Sequence, residues 1–173
     1  TRTTSSAASD VYKRQMNLSS KDDPILEFGL RRAQGIDGSL SASRASYIGG
    51  TSKTSNVLAG KLFDIPVSGT HSHSWVLAFD SELESFKKYA EVMPNNCILL
   101  IDTFNTMDGL DNAIIVAKEL ENKNKRLLGV RIDSGDLAYL SKKARTKLDK
   151  NGLEYVKIVC LLYTSDAADE VVR

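Results

Sequence analysis

Short apolar runs alternate with polar turns and amphipathic stretches along the second half of the chain. The runs are Ile65–Val67, Cys97–Ile101, Arg126–Ile132 and Tyr155–Val159. Each of the first three leads through a polar turn into residues whose apolar positions recur at helical spacing, which predicts strands that alternate with helices. Such alternation is typical of parallel βαβ units, so the pattern predicts an α/β fold with parallel strands and helical crossovers.

Three helices are predicted after these runs, each from apolar residues that share one helical face. Their apolar positions are Trp75, Leu77, Phe79, Leu83 and Phe86; Leu110, Ala113, Ile114, Ala117 and Leu120; and Leu137, Leu140, Ala144 and Leu148. The last helix is predicted to end near Gly152. Upstream, a segment rich in Gly and Ser predicts two short helices, Ala42–Ile48 and Ser55–Lys61. We predict no domain boundary between Met16 and Val159.

Composition narrows the class of protein. The chain has 173 residues, of which 42% are hydrophobic, and 23 basic residues balance 22 acidic ones. This size fits one globular domain, and the balanced charge predicts neither a nucleic-acid nor a membrane partner. The longest apolar run is too short to cross a bilayer. Two cysteines, Cys97 and Cys160, predict no disulfide framework, so the expected compartment is the reducing cytoplasm.

The two ends of the chain are predicted to be foreign to the protein. One DNA sequence that encodes "SSAASDVYKRQ" near the N-terminus, reverse-complemented and shifted by one base, encodes "CLLYTSDAADE" near the C-terminus. Antisense copies at both ends are typical of a flanking adapter and resemble one used in sequencing libraries. Residues 1–15 and 160–173 are therefore predicted to be adapter-derived. Residues 16–159 are predicted to be part of a longer α/β barrel domain.

Chemically active side chains cluster where the predicted strands end. In parallel α/β barrels the functional groups collect at the carboxyl ends of the strands. Those groups here are Thr70, His71 and His73, then Asp102 and Thr103, then Arg131, Asp133 and Ser134, with Arg31 and Arg32 added from the glycine-rich segment. Cations, carboxylates and hydroxyls facing a common mouth suit an anionic, phosphorylated substrate.

Other interpretations remain open at this level. Asp102 and Asp133 are also suited to cap the helices that follow them, and Arg31 with Arg32 is also typical of a solvated pair. His71 and His73, the only histidines, would suit a zinc site in a metal-dependent barrel hydrolase. A non-catalytic phosphate-binding protein is a third possibility.

Three separated motifs resemble one enzyme family. They are the segment from "EFGLRRAQG" through "SGTHSHSW", the "DTFNT" after the next strand, and "GVRIDSGDL". Together they resemble the nicotinate phosphoribosyltransferases over essentially all of residues 16–159. The resemblance implies the fold of the type II phosphoribosyltransferases, an irregular α/β barrel joined to a smaller domain and assembled as a homodimer.

The resemblance also implies an activity. The family joins nicotinate to phosphoribosyl pyrophosphate, giving nicotinate mononucleotide and pyrophosphate for NAD biosynthesis, with Mg²⁺ present. ATP hydrolysis is coupled to this reaction through a phosphorylated histidine. The chain on its own is expected to be inactive, because the resemblance places an N-terminal base contact and a C-terminal glycine-rich phosphate loop outside it.

Site roles follow from the same resemblance, position by position. His73 corresponds to the phosphorylated histidine, Thr70 and Arg131 to nicotinate-binding residues, Asp133 to the ribose-binding carboxylate, Arg31 to a phosphate-facing arginine, and Phe28 to an aromatic that stacks on the pyridine ring. Asn56 stands where the nicotinamide-using relative has an aspartate, which favours the acid over the amide. His71 falls on a variable position, and its role is left open.

Overall fold

The protein divides into two compact units. The computed structural model describes residues 24–164 and 167–172. The first unit holds the described residues up to Gly69 and those from Leu161 onward, and the second is Thr70–Cys160. Residues 1–15, predicted to be adapter-derived, lie outside the described residues. No helix in the described part of the chain is long and apolar enough to cross a membrane.

The first unit combines short strands with two helices. Its elements are β1 (Ile25–Glu27), a 3₁₀ helix (Gly29–Arg32), α1 (Gly35–Ile48), β2 (Lys53–Thr54), α2 (Val57–Phe63) and β6 (Ala167–Val172). β1 pairs in parallel with β2 and antiparallel with β6. The predicted helix over Ala42–Ile48 is the second half of α1, and the one over Ser55–Lys61 corresponds to α2.

The second unit is built from parallel strands joined by helices. Its elements are α3 (His73–Val76), α4 (Glu82–Val92), β3 (Ile98–Leu100), α5 (Thr106–Asn122), β4 (Gly129–Ile132), α6 (Leu137–Lys150) and the start of β5 (Lys157–Thr164). β3 pairs in parallel with β4, and β4 in parallel with β5. α5 and α6 are the crossovers between these strands. This confirms the predicted α/β class with parallel strands and helical crossovers.

The core of the second unit lies between its strands and helices. Phe86 of α4, Leu110 of α5 and Leu148 of α6 are fully buried, as are Leu99 of β3 and Val130 of β4. Both neighbouring faces of these short strands are buried, which explains why they are continuously apolar rather than alternating. The strand ends are thereby held in fixed positions under a packed layer of helices.

Two elements differ from the sequence prediction. The run Ile65–Val67 forms only an isolated bridge between Val67 and Thr54. Pro66 in its middle has no N–H to donate to a ladder, which disfavours a regular strand. The stretch from Trp75 to Phe86 forms two helices, α3 and α4, because Ser81 is extended and its side chain accepts the N–H of Glu84 as an N-cap.

Candidate functional site

The predicted strand-end residues of the second unit come together around the ends of β3 and β4. Asp102 and Thr103 follow β3, and Asp133 follows β4 directly. Thr70 lies on the turn that leads into α3, and His73 is the first residue of that helix. Parallel strands deliver their carboxyl ends to one edge of a sheet, which is why residues far apart in sequence meet here.

Arg131 connects the turn before α3, which carries Thr70, to the carboxyl end of β4, which is followed by Asp133. It lies within β4 and is only 6% exposed. Its Nη1 donates to Thr70 Oγ1 at 2.9 Å, and its Nη2 lies 3.6 Å from Asp133 Oδ2. A buried guanidinium is costly unless it is paired and hydrogen-bonded, so these contacts hold the planar fork in one orientation.

His73 lies between a carboxylate and a hydroxyl. Its Nε2 is 3.4 Å from Asp133 Oδ2, and its Nδ1 is 3.1 Å from Thr103 Oγ1. The His73 side chain is 41% exposed, whereas that of Asp133 is 7% exposed. The imidazole is therefore oriented from both ring nitrogens and still reachable from solvent, the arrangement that a reacting histidine needs.

Asp102 fixes the position of Asp133. Its Oδ2 accepts the backbone N–H of Asp133 at 2.9 Å and the hydroxyl of Ser134 at 2.6 Å. Hydrogen bonds to a carboxylate are shorter and stronger than neutral ones, so the end of β3 holds the turn after β4 firmly. The other oxygen, Oδ1, is buried without a hydrogen-bond partner among the described residues.

Neither aspartate caps a helix, although the sequence allowed that interpretation. Asn105 caps α5 by accepting the N–H groups of Met107 and Asp108, and Asp136 caps α6. Asp102 and Asp133 are therefore not needed at the helix termini. Asp133 instead contacts His73 and Arg131, and Asp102 holds the turn that carries Asp133.

His71 has a different environment from His73. It is 6% exposed, and burial lowers the pKa of its imidazole to about 4. Its Nε2 accepts the backbone N–H of Leu100 at 3.1 Å, and its Nδ1 lies 3.4 Å from the carbonyl of Ser72. Since both ring nitrogens are occupied, His71 is unsuited to bind zinc with His73. The described residues also contain no group of three potential metal-ligating side chains.

The remaining predicted residues lie in the first unit. Phe28 is half-buried and precedes the 3₁₀ helix, and Arg31 lies within that helix with its side chain exposed. Asn56 is buried, caps α2 through the N–H of Ala59, and donates from Nδ2 to Ser43 Oγ. The structure gives Asn56 a local role, and its predicted part in substrate choice stays a prediction.

Sequence reasoning missed Glu27 at the end of β1. This carboxylate is 3% exposed and accepts Thr54 Oγ1 at 2.6 Å, Ser43 Oγ at 2.9 Å and the N–H of Gly29. It thus joins β1, α1 and β2 around one buried charge. An acidic residue at the end of an apolar run was the only signal in the sequence.

Comparisons with known proteins point to one family. The family model "Nicotinate phosphoribosyltransferase (NAPRTase) family" matches residues 24–170. The nicotinate phosphoribosyltransferase of Bacillus subtilis is 52% identical over 139 residues, which cover 80% of this chain and 28% of that protein. A relative of the same name from Mycobacterium tuberculosis is 44% identical over 147 residues, covering 85% of this chain and 30% of that protein. This chain therefore spans less than a third of these relatives.

Solved structures give the same answer. The crystal structure of human nicotinic acid phosphoribosyltransferase matches with a TM-score of 0.78 and 29% identity, over 93% of this chain and 43% of that one. A nicotinate-nucleotide pyrophosphorylase from Pyrococcus furiosus matches with a TM-score of 0.76 and 25% identity, over 90% of this chain and 40% of that one. Sequence and structure agree: this chain belongs to the nicotinate phosphoribosyltransferase family.

Proposed function

We propose that this chain supplies part of the active site of an enzyme that joins nicotinate to phosphoribosyl pyrophosphate, releasing nicotinate mononucleotide and pyrophosphate for NAD biosynthesis. Family membership supports the reaction class. The observation that carries the proposal is the position of His73 between Asp133 and Thr103, beside the pair formed by Arg131 and Thr70. This arrangement accounts for an anionic substrate and a reactive imidazole together.

Arg131 and Thr70 are proposed to bind the nicotinate carboxylate. Nicotinate is an anion at neutral pH, and a guanidinium fork is the side chain best matched to a carboxylate. A charged hydrogen bond of this kind is worth roughly 1.5 to 3 kcal/mol. The contact between Arg131 Nη1 and Thr70 Oγ1 holds the fork before substrate arrives.

Asp133 is proposed to face the ribose. Cleavage of the bond between ribose C1 and the pyrophosphate oxygen develops positive charge on the ring, and a nearby carboxylate stabilises that charge. Asp133 is held for this role by the hydrogen bond from its own N–H to Asp102. The carboxylate also lies 3.4 Å from His73 Nε2, so the two proposed steps share one group.

His73 is proposed to carry the phosphoryl group. A neutral imidazole nitrogen attacks the terminal phosphorus of ATP, the bond to the bridging oxygen breaks, and ADP leaves. Water later hydrolyses the phosphohistidine to inorganic phosphate, which returns the free imidazole. Thr103 and Asp133 orient the ring for both steps.

Magnesium is expected to arrive with the substrates. Mg²⁺ is commonly held by one or two carboxylates together with substrate phosphates. Among the residues that the structure describes, no three His, Cys, Asp or Glu side chains are grouped so that they could hold a metal ion. The first unit is proposed to contribute Arg31 for a phosphate, Phe28 for the pyridine ring and Asn56 for choice of the acid. We also propose that the full enzyme has a closed α/β barrel, assembles as a homodimer and resides in the cytoplasm.

The test requires a full-length enzyme that contains residues 16–159 of this sequence. It is incubated with nicotinate, phosphoribosyl pyrophosphate and Mg²⁺, with and without ATP, and nicotinate mononucleotide is quantified. His73→Ala should abolish the stimulation by ATP, whereas Ser74→Ala, an exposed hydroxyl on the same turn, should retain it. Equal stimulation by ATP in His73→Ala and the parent would refute the role of His73.

A further inference from the structure

We propose that His71 is a positioning residue, which attaches the turn that carries His73 to strand β3. Its imidazole takes the place of a neighbouring strand at the backbone N–H of Leu100. The inference deepens the proposed function and rests on the role of His73 given there. Nothing in the resemblance or the comparisons assigns a role to His71.

β3 pairs with β4 along one edge, and the backbone N–H groups on its other edge need other hydrogen-bond acceptors. On one side, β3 pairs with β4, and the N–H of Ile101 donates to the carbonyl of Arg131. Successive N–H groups of a strand point to opposite sides, so the N–H of Leu100 points away from β4. Leu100 is fully buried, and a buried N–H without an acceptor costs roughly 1 to 3 kcal/mol. His71 Nε2 provides that acceptor at 3.1 Å.

Aromatic packing holds the His71 ring in place. Its centroid lies 4.8 Å from that of Tyr89 in an edge-to-face arrangement and 5.7 Å from that of Phe86, both on α4. Edge-to-face and tilted pairs at such distances are favourable. Burial also keeps the imidazole neutral, which an acceptor nitrogen requires. The proton then resides on Nδ1, which lies 3.4 Å from the carbonyl of Ser72.

The two histidines contact the same strand end. His71 accepts from Leu100, the last residue of β3, and His73 contacts Thr103 just beyond it. Two attachments at nearby positions fix both the distance and the rotation of the turn relative to the strand. The other contacts that place His73 are those of its Nδ1 with Thr103 Oγ1 and of its Nε2 with Asp133 Oδ2, while Thr70 upstream accepts from Arg131. A loss of about 1 Å in placement is enough to slow a positioned group strongly.

Three variants of the full-length enzyme separate positioning from simple packing. His71→Leu fills the buried site with an apolar side chain but removes the acceptor of the Leu100 N–H. Formation of phosphohistidine at His73, measured by the transfer of labelled phosphate from ATP, should therefore slow by tenfold or more. His71→Gln places an amide oxygen near the position of Nε2 and should restore the rate to within about threefold of the parent, an estimate that allows for imperfect geometry. Ser74→Ala, on the same turn, should match the parent.

A second readout does not depend on activity. Nitrogen NMR of the parent at neutral pH should show His71 protonated on Nδ1 and unprotonated on Nε2. The Leu100 amide should exchange with solvent faster in His71→Leu than in the parent. A proton on Nε2, an unchanged Leu100 exchange rate, or equal phosphorylation in folded His71→Leu and the parent would overturn the inference. If the parent forms no phosphohistidine, the proposed function fails, and the NMR and exchange readouts still decide whether His71 holds the strand.

Discussion

At the residue scale, two histidines two positions apart have opposite environments. His71 is buried against Phe86 and Tyr89 and occupies both ring nitrogens with backbone groups. The His73 side chain is 41% exposed, and its two ring nitrogens contact the side chains of Thr103 and Asp133. The first environment suits a structural acceptor, and the second suits a group that must meet a substrate.

The environment of His71 predicts a pH dependence of stability. Its pKa falls from 6.5 to about 4 on folding, so between these values the unfolded chain binds more protons than the folded one. The contribution of His71 to the free energy of unfolding is therefore fully present above pH 6.5. It decreases as the pH falls toward 4, by about 3 kcal/mol. Urea unfolding at pH 7, 5 and 4 measures the decrease, and His71→Gln should show a shallower one. Equal slopes would contradict the lowered pKa.

Thr103 offers a second test at this scale. Thr103→Val removes the hydroxyl 3.1 Å from His73 Nδ1 and keeps the shape of the side chain. Loss of one neutral hydrogen bond, worth about 1 kcal/mol, should slow phosphorylation of His73 about fivefold. Thr103→Ser should restore most of the rate. A valine variant as fast as the parent would show that the contact does not orient the ring.

Some site residues could be found from sequence, and others could not. The strand-end rule collected Thr70, His73, Arg131 and Asp133, because each lies near the carboxyl end of an apolar run or in the turn after it, and the structure brings these four together. The contact of His71 with Leu100 spans 29 positions and depends on burial, which no local pattern reveals. The network around Glu27 was missed for the same reason.

At the element scale, side-chain caps set where the helices begin. Ser81, Asn105 and Asp136 each accept N–H groups from the first turn of the following helix. Periodicity alone predicted one helix across Trp75–Phe86, because apolar spacing continues through the break. The hydroxyl at Ser81 competes with helical geometry there and starts a new helix. The N-cap residue Ser81, and not the apolar spacing, therefore marks the observed start of α4.

The approach of α5 to β3 depends on one glycine. A Cβ on Gly109 would lie 2.1 Å from the carbonyl oxygen of Ile101, a backbone atom that cannot move aside. Gly109→Ala should therefore destabilise the protein by roughly 1 to 3 kcal/mol or more through overpacking. Gly38→Ala is the matched control, since Gly38 is also inside a helix and meets nothing within 4 Å.

Urea unfolding of both glycine variants decides the point. Gly38→Ala should be neutral or stabilising by roughly 0.5 to 1 kcal/mol, because alanine favours helix more than glycine does. If Gly109→Ala proved as stable as Gly38→Ala, the close approach of α5 to the end of β3 would be wrong. The placement of Asp102 and Thr103 at that strand end would then need revision.

At the scale of the whole molecule, the second unit contains the cluster of candidate catalytic and substrate-binding residues. Thr70, His73, Arg131 and Asp133 all belong to it, and its parallel strands explain how positions 61 residues apart meet. The alternation of apolar runs and amphipathic stretches was sufficient to predict this architecture. The division into two units was not visible in composition, since the glycine-rich segment before Gly69 packs around Glu27 rather than forming a linker.

The most direct measurement is the coupled reaction itself, in a full-length enzyme that contains residues 16–159 of this sequence. Nicotinate mononucleotide is quantified from nicotinate, phosphoribosyl pyrophosphate and Mg²⁺, with and without ATP, for the parent and for His73→Ala. We expect ATP to raise product formation in the parent and to have no effect in the variant. No product from nicotinate in either protein, with or without ATP, would contradict the account.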